Sequence, residues 1–152
     1  MDRTLRELVD RHAIGDLLNA YSLNMDLNRP AAMRELFTDD CVVDFLPTAR
    51  PLRGPDELVQ HLTERLRPVK ATSHHLSNCT ITFEGDDRAT GTTYLYAWHA
   101  YRDGRPDGHL WGQYHDVFVR TAGGWRIEER RLLVAGTESF DRPAMRPLAR
   151  EP

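Results

Sequence analysis

The first part of the chain is predicted to be helical from the spacing of its apolar residues. Between residues 2 and 26, apolar side chains recur at steps of three and four, which is the pattern of an amphipathic helix. These residues are Leu5, Leu8, Val9, Ile14, Leu17, Leu18, Tyr21 and Met25. A break at residues 28–30 ends the pattern, and Pro30 suits the first turn of a second, short helix. Residues 55–66 show a further helical pattern.

Beyond Pro68 the pattern changes to that of β-strands. A short strand is predicted before this point, at residues 41–45, and four longer strand-like segments follow it: 71–84, 88–102, 109–121 and 124–135. Turn signals rich in Gly and Asp separate the long segments, which predicts an antiparallel meander. Helices followed by such strands are typical of an α+β fold, with the helices on one face of a curved sheet. Long strands coil, so the sheet is expected to form a cone whose open end is a ligand cavity.

The length of 152 residues predicts one domain with a substantial core. We expect this domain to cover residues 1–136. Residues 137–152 contain Pro143, Pro147 and Pro152. We therefore expect a tail that does not extend the sheet, and that either frays or folds over the mouth of the cone or a neighbouring subunit.

The charges of the chain argue against nucleic acid or an anionic membrane as the main partner. There are 20 Lys and Arg residues and 23 Asp and Glu residues, which give a formal net charge of −3, and no basic block is present. A small organic ligand remains possible. The two cysteines, Cys41 and Cys79, form no disulfide framework, and the N-terminus resembles no signal peptide. No segment approaches the roughly 20 apolar residues of a membrane span, so a cytoplasmic protein is expected.

The segment ATSHHLSN contains two adjacent histidines that must point to opposite faces of a strand. His74 shares its face with Asn78, whereas His75 shares its face with Ser77 and an apolar series that includes Ile81 and Phe83. A pocket needs a few polar groups in an apolar lining, which favours His74 as the functional residue. His75 is expected to be its outward-facing, structural neighbour.

The remaining chemistry is acid–base catalysis by a histidine that a carboxylate orients. No metal-binding spacing, Gly-rich phosphate loop or nucleophile motif is present, so neither metal nor cofactor is expected. Asp26 is the candidate carboxylate because it lies at the helix end that is unfavourable for a negative charge. His99 could face the pocket or the outside, and Arg130 is by default part of a surface strand.

The order of these elements resembles the SnoaL-like branch of the nuclear-transport-factor-2-like (NTF2-like) superfamily over nearly the whole chain. Thr72-Ser73-His74-x-x-x-Asn78 is similar to the T-x-H-x-x-x-N signature of this branch, in which the first histidine is functional. The resemblance implies a cone-shaped α+β barrel. The superfamily includes dehydratases, cyclases, isomerases and binding modules, so fold alone does not choose the function.

Three enzyme groups of this superfamily carry an Asp and a His at matching positions. The bile-acid dehydratases are similar at Tyr21, Asp26 and His74. The hexachlorocyclohexane dehydrochlorinases are similar at Asp26, His74 and Arg130, but they have a lysine near Tyr21. Scytalone dehydratase is similar at Asp26, His74 and His99. Its pocket tyrosines and asparagine fall on other residue types here, namely Met25, Phe45 and Tyr114.

The resemblance implies a lyase that needs no cofactor and removes water from a hydrophobic cyclic or polyketide-like compound. In this mechanism Asp26 orients His74, which takes a proton from carbon, while Tyr21, His99 and Arg130 assist. The substrate pocket is expected to include Met25, Phe45, Asn78, Trp98 and Tyr114. A cyclase or isomerase with the same dyad, or a non-catalytic binding subunit, are the alternatives. The exposed aromatic strand faces predict a homo-oligomer, either a trimer or a dimer.

Overall fold

The computed structural model describes residues 2–45, 50–140 and 145–149, so Pro143 and Pro152 lie outside the described residues. The helical elements are α1 (Arg3–Asp26), a short 3₁₀ helix (Pro30–Glu35) and α2 (Gly54–Leu66). The strands are β1 (Phe37–Asp44), β2 (Leu52–Arg53), β3 (Val69–Phe83), β4 (Arg88–Tyr101), β5 (Gly108–Thr121) and β6 (Gly124–Glu138). The predicted helices and long strands are therefore confirmed, and β2 is the one described strand that the pattern did not indicate.

The six strands form one sheet in the order β2-β1-β6-β5-β4-β3. Strands β3 to β6 are an antiparallel meander, and β1 pairs with β6 in parallel. The sheet is curved and mixed, and it stays open because β2 and β3 are both edge strands. Helix α1 packs mainly against β3 and β6, and α2 packs against β1. The predicted α+β architecture is confirmed, with an open cone in place of a closed barrel.

Helix α1 buries only part of its apolar pattern. Its buried positions include Ile14, Leu18 and Tyr21, which belong to the main hydrophobic core. Leu5, Leu8 and Val9 are instead 52%, 59% and 50% exposed, so the apolar pattern predicts the helix at its N-terminal end but not which residues it buries. An α-helix turns about 100° per residue, which places Leu5 and Leu8 roughly opposite the buried Asp10 and Val9 on the flank of the helix. That carboxylate, rather than an apolar residue, faces the sheet there.

Strand β3 contains a bulge that reverses the alternation of its side chains. Ser77 pairs with Tyr94 and Thr80 pairs with Thr92, so two residues of β3 lie opposite one residue of β4. Asn78 in the bulge has φ 44°, a left-handed conformation that asparagine tolerates better than most residues. Beyond it, the odd-numbered Ile81 and Phe83 pack against the core, as the even-numbered Leu76 does before it. The prediction that Ile81 and Phe83 share a face with His75 is therefore wrong.

The C-terminal segment packs against the sheet. Strand β6 continues to Glu138, two residues beyond the expected end of the domain at residue 136, and Phe140 packs against the core. Further along, Pro147 pairs in parallel with Val134, at a part of β6 that β1 does not reach. The backbone N–H of Val134 donates to the carbonyl of Arg146 (2.8 Å). These contacts contradict the expectation that the tail would not extend the sheet.

Candidate active site

An Asp–His pair lies where the end of α1 meets β3. Asp26 is the last residue of α1, and its carboxylate receives three hydrogen bonds from β3. The ring Nδ1 of His74 is 2.7 Å from Oδ1, and the backbone N–H of His74 donates to Oδ2 at 3.0 Å. The hydroxyl of Thr72 also donates to Oδ1, at 2.9 Å. Both oxygens of the Asp26 carboxylate are therefore held by residues of β3, and the carboxylate in turn holds the imidazole ring of His74.

These hydrogen bonds determine the proton positions in the pair. Burial raises the pKa of the Asp26 carboxyl, but the hydrogen bonds from the His74 ring and backbone and from Thr72 outweigh it, so the pKa is lowered. An ionised carboxylate only accepts hydrogen bonds, so Nδ1 of a neutral His74 carries the ring proton. Nε2 then holds a free lone pair. This is the arrangement of a histidine that can act as a general base.

His74 forms part of the wall of a small cavity. The polar residues of this wall are Tyr21, His74, His99 and Tyr114. The other wall residues are apolar: Met25, Phe45, Leu62, Leu95, Ala97, Leu110, Leu132 and Phe140. The space open to the centres of water molecules is about 30 Å³, which suits one or two waters but not a ring compound. A ring compound could therefore enter only if wall side chains moved.

His99 faces the cavity from β4, and its ring centroid is 5.6 Å from that of His74. Phe140 packs on the other side of His99, with 4.6 Å between the ring centroids. Trp98 is the preceding residue on the strand and points to the outer face of the sheet, where its indole N–H donates to Asp107 (3.0 Å). The prediction that Trp98 lines the pocket is wrong for this reason.

Arg130 is buried behind the cavity wall rather than exposed on a strand. Its guanidinium makes a bidentate ion pair with Asp116, with both N–O distances at 2.8 Å. Its central carbon lies 4.2 Å from the ring centre of Tyr21 and 4.1 Å from that of Tyr114. Burial opposes its charge, but the pairing with Asp116 outweighs burial and raises the pKa of Arg130. The two tyrosines thus separate Arg130 from the cavity, and the default assignment to the surface is wrong.

The structure brings together most of the predicted residues and excludes two. Tyr21, Met25, Phe45, His99 and Tyr114 all line the cavity with His74. Besides Trp98, the exception is Asn78, because the bulge takes its side chain out of the alternation that begins at His74.

The sequence reasoning missed two residues that support the site. Thr72, although part of the T-x-H motif, was not expected to hold Asp26. Asp116 holds Arg130, and strand alternation on β5 would have placed it on the inner face with Tyr114.

Two features are absent from residues 2–45, 50–140 and 145–149. No three His, Cys, Asp or Glu side chains within these ranges are grouped so that they could hold a metal ion. None of the helices in the same ranges combines the length and apolar character that crossing a membrane requires.

The open α+β cone, with an Asp–His pair at an apolar cavity, defines the class to which this protein belongs. Residues 6–131 match the model of the SnoaL-like domain, so the chain belongs to the SnoaL-like family of the NTF2-like superfamily. An uncharacterized protein of Mycobacterium tuberculosis (strain H37Rv) is 30% identical to it over 138 residues, which cover 86% of this chain and 90% of the relative.

Solved structures agree with this membership. A crystal structure of a candidate scytalone dehydratase from Novosphingobium aromaticivorans matches with a TM-score of 0.93 and 33% identity, over 98% of this chain and 99% of the other. A hexachlorocyclohexane dehydrochlorinase, LinA type 2, matches with a TM-score of 0.81 over 95% of this chain and 97% of the other. At 18% identity, this second match supports the fold alone.

Proposed function

We propose that this protein is a lyase that needs no cofactor and eliminates water from a hydrophobic cyclic or polyketide-like compound. The hydrogen bond of 2.7 Å between Asp26 and Nδ1 of His74, at the wall of an apolar cavity, carries the proposal. The similarity to a candidate scytalone dehydratase supports the same reaction class. Members of one superfold can differ in chemistry, so the dyad rather than the fold is the basis of the proposal.

The proposed reaction begins with proton removal from carbon by Nε2 of His74. The C–H electron pair forms the new double bond, and the C–O bond to a hydroxyl on the neighbouring carbon breaks. This hydroxyl takes up a proton and leaves as water. Asp26 stabilises the imidazolium that forms on His74, because the pair becomes oppositely charged at 2.7 Å. A positioned base of this type is typically worth about 10²–10⁴ in rate.

Proton donors for the leaving hydroxyl or for a substrate carbonyl are present around the same cavity. His99 is the nearest ring to His74, and the hydroxyl-bearing rings of Tyr21 and Tyr114 pack against each other with 5.7 Å between centroids. Arg130 lies against the faces of both phenol rings and supports them from behind. We therefore assign Tyr21, Tyr114 and His99 to substrate contact, and Arg130 to positioning of the tyrosines.

The test is a screen of cyclic β-hydroxyketones for loss of one water, read by mass spectrometry. Wild-type protein should convert at least one compound, and His74→Gln should lower its turnover by about 10²–10⁴-fold while remaining folded. His75→Gln is the matched control, since His75 is exposed on the opposite face of β3 and should retain full turnover. Full activity of His74→Gln would contradict the mechanism. A product of unchanged mass that still needs His74 would indicate the isomerase or cyclase alternative.

We also propose a homo-oligomer, a trimer or a dimer, that forms through the outer face of the sheet. Tyr94 and Trp111 are exposed large aromatic residues on this face, and the rings of Tyr96 and His109 pack beside Trp111. Trp111→Lys should shift the protein towards the monomer in sedimentation equilibrium. A wild-type protein that is monomeric throughout would contradict the proposal.

A further inference from the structure

A second hollow adjoins the cavity of His74. It lies between the end of α2 and the paired ends of β3 and β4, and its open space is about 20 Å³. Met25, Leu62 and His99 belong to the walls of both hollows. These three side chains are therefore the partition between the inner cavity and the outer hollow. Methionine has three rotatable bonds, so a rotation of Met25 can join the two spaces.

Cationic residues are concentrated in the chain segments that border the outer hollow, and one of them, Arg65, lies in its wall. These residues come from two segments, 64–70 and 101–107, which the antiparallel pairing of Val69 with Tyr101 brings together. The backbone N–H of Arg102 also donates to the carbonyl of Pro68 at 2.9 Å, which holds the segments side by side. We call the five cations of these segments the basic rim: Arg65, Arg67, Lys70, Arg102 and Arg105.

The basic rim is positive although the chain as a whole is negative. Its five cations are accompanied by three carboxylates in the same segments, those of Glu64, Asp103 and Asp107, whereas the formal net charge of the chain is −3. Arg65 lies in the wall of the outer hollow, and Arg105 stacks on the ring of Tyr101, another wall residue, at 4.7 Å. A local excess of cations beside an apolar opening attracts anionic ligands and raises their local concentration.

The inner cavity has the opposite character, because its wall contains no Lys, Arg, Asp or Glu. We propose that the substrate is amphipathic and singly anionic: its apolar ring enters the cavity of His74, and a carboxylate on it remains at the basic rim. This proposal rests on the proposed function for the location of the reacting ring. It adds that the substrate carries a negative charge, which the Asp–His chemistry does not require.

A pair of isosteric probes can test this inference without a known substrate. 2-Naphthoate and 2-acetylnaphthalene share one ring system and differ in that a carboxylate replaces a neutral acetyl group. Neither can eliminate water, so binding is measured independently of catalysis. In fluorescence titrations at low ionic strength, we expect the naphthoate to bind about threefold to tenfold more tightly than the ketone. Added salt should remove this difference, because it screens exposed charges.

Variants then locate the binding site. Lys70→Gln and Arg67→Gln should each weaken naphthoate binding about threefold and leave the ketone unchanged. Arg3→Gln is the matched control, since Arg3 is an exposed cation at the distant N-terminal end of α1. Ala97→Leu fills the inner cavity and should abolish binding of both probes, and thermal unfolding checks that each variant is folded.

The inference is overturned if the naphthoate and the ketone bind equally at low salt, if Arg3→Gln acts like Lys70→Gln, or if neither probe binds. Binding that survives Ala97→Leu would also overturn it, because the ring would then lie outside the cavity. Failure of the proposed function gives a different result: the naphthoate still binds in a rim-dependent way, but no β-hydroxyketone, including those that carry a carboxylate, loses water.

Discussion

Helix α1 connects to the sheet through two carboxylates, the buried Asp10 and the partly buried Asp26, and the two differ in their partners. Asp10 accepts hydrogen bonds from Arg120 (2.6 Å) and from the indole of Trp125 (3.0 Å). Asp26 accepts its shortest hydrogen bond from a histidine ring, His74 Nδ1 at 2.7 Å. Arginine stays protonated at any ordinary pH, whereas a histidine gains and loses a proton near neutral pH.

This difference gives the two carboxylates of α1 different roles: Asp10 holds the helix on the sheet, whereas Asp26 holds a ring that is a candidate for catalysis. The guanidinium of Arg120 also stacks on Trp125 at 4.6 Å, so Asp10 joins α1 to both strands of the β5–β6 hairpin. Asp26 instead fixes a ring whose second nitrogen is available to a ligand. Geometry alone would make the two pairs equivalent, since both are short and partly buried. A neutral imidazole has a nitrogen that can accept a proton whereas a guanidinium has none, so only the Asp26 pair is a candidate for catalysis.

The largest effect is expected when Asp26 is replaced by Asn. An amide cannot compensate the charge of an imidazolium, and its N–H₂ group can favour the wrong tautomer of His74. We expect turnover to fall by about 10²–10⁴-fold, as the loss of a functional base requires, while the free energy of unfolding changes less. Steady-state kinetics on a compound from the β-hydroxyketone screen measures this. Wild-type kcat in Asp26→Asn would remove the basis for the dyad.

Asp10→Asn should show the reverse. Loss of the charge weakens the hydrogen bonds from Arg120 and Trp125, so the free energy of unfolding should fall by about 1–3 kcal/mol, and kcat should be retained. Urea denaturation followed by tryptophan fluorescence provides the measurement. A variant of unchanged stability that lost turnover would mean that the two ends of α1 are not distinct in role.

The smallest effect is expected on the free energy of unfolding at acid pH. Burial raises the pKa of Asp10, but hydrogen bonds from Arg120 and Trp125 outweigh it, so both Asp10 and Asp26 have pKa values below the ordinary 3.8. A lowered pKa contributes stability above the unfolded value, and this contribution is lost as the pH falls through the folded one. Wild type should therefore lose stability below about pH 4, and Asp10→Asn and Asp26→Asn should each lose less over that range. If the urea midpoints of wild type and of the two variants fell equally with decreasing pH, this prediction would be wrong.

The fold could be predicted from sequence because its elements have clear periods. The strands of the meander alternate, and the turns between them contain Gly and Asp, so their bounds came out within a few residues. Pairing Asp26 with His74 needed the resemblance as well, because the two residues are 48 positions apart and no local pattern joins them. The resemblance made the pair a candidate, and the distance of 2.7 Å supports it.

The differences between sequence pattern and structure have a common physical cause. In each case a general sequence pattern was applied at a residue where the structure departs from it. Asn78 was assigned to the pocket because strict alternation was carried through a bulge that has no strong sequence signal. Leu5 and Leu8 belong to the apolar pattern of α1, but they are exposed because they lie on the other side of the helix from Asp10. Arg130 was expected at the surface because a charged residue on a strand is usually exposed. It is buried here because it forms an ion pair with the buried Asp116.

The bulge in β3 limits how the length of this strand can vary. Because Asn78 switches the inward-facing positions from even to odd numbers, the strand places His74 and Ile81 on the same side of the sheet. A strand of the same length without the bulge would turn Ile81 and Phe83 towards solvent. Deletion of one bulge residue would instead keep them inward, because Leu76 and Ile81 would then be four positions apart, as their partners Leu95 and Gly91 are. Insertions and deletions should therefore be tolerated in the Gly85–Asp87 turn, whereas at the bulge only loss of the one extra residue should be tolerated. In related chains, the first inward apolar residue after this point should lie seven positions beyond the histidine at position 74 when the bulge is present, and six when it is absent.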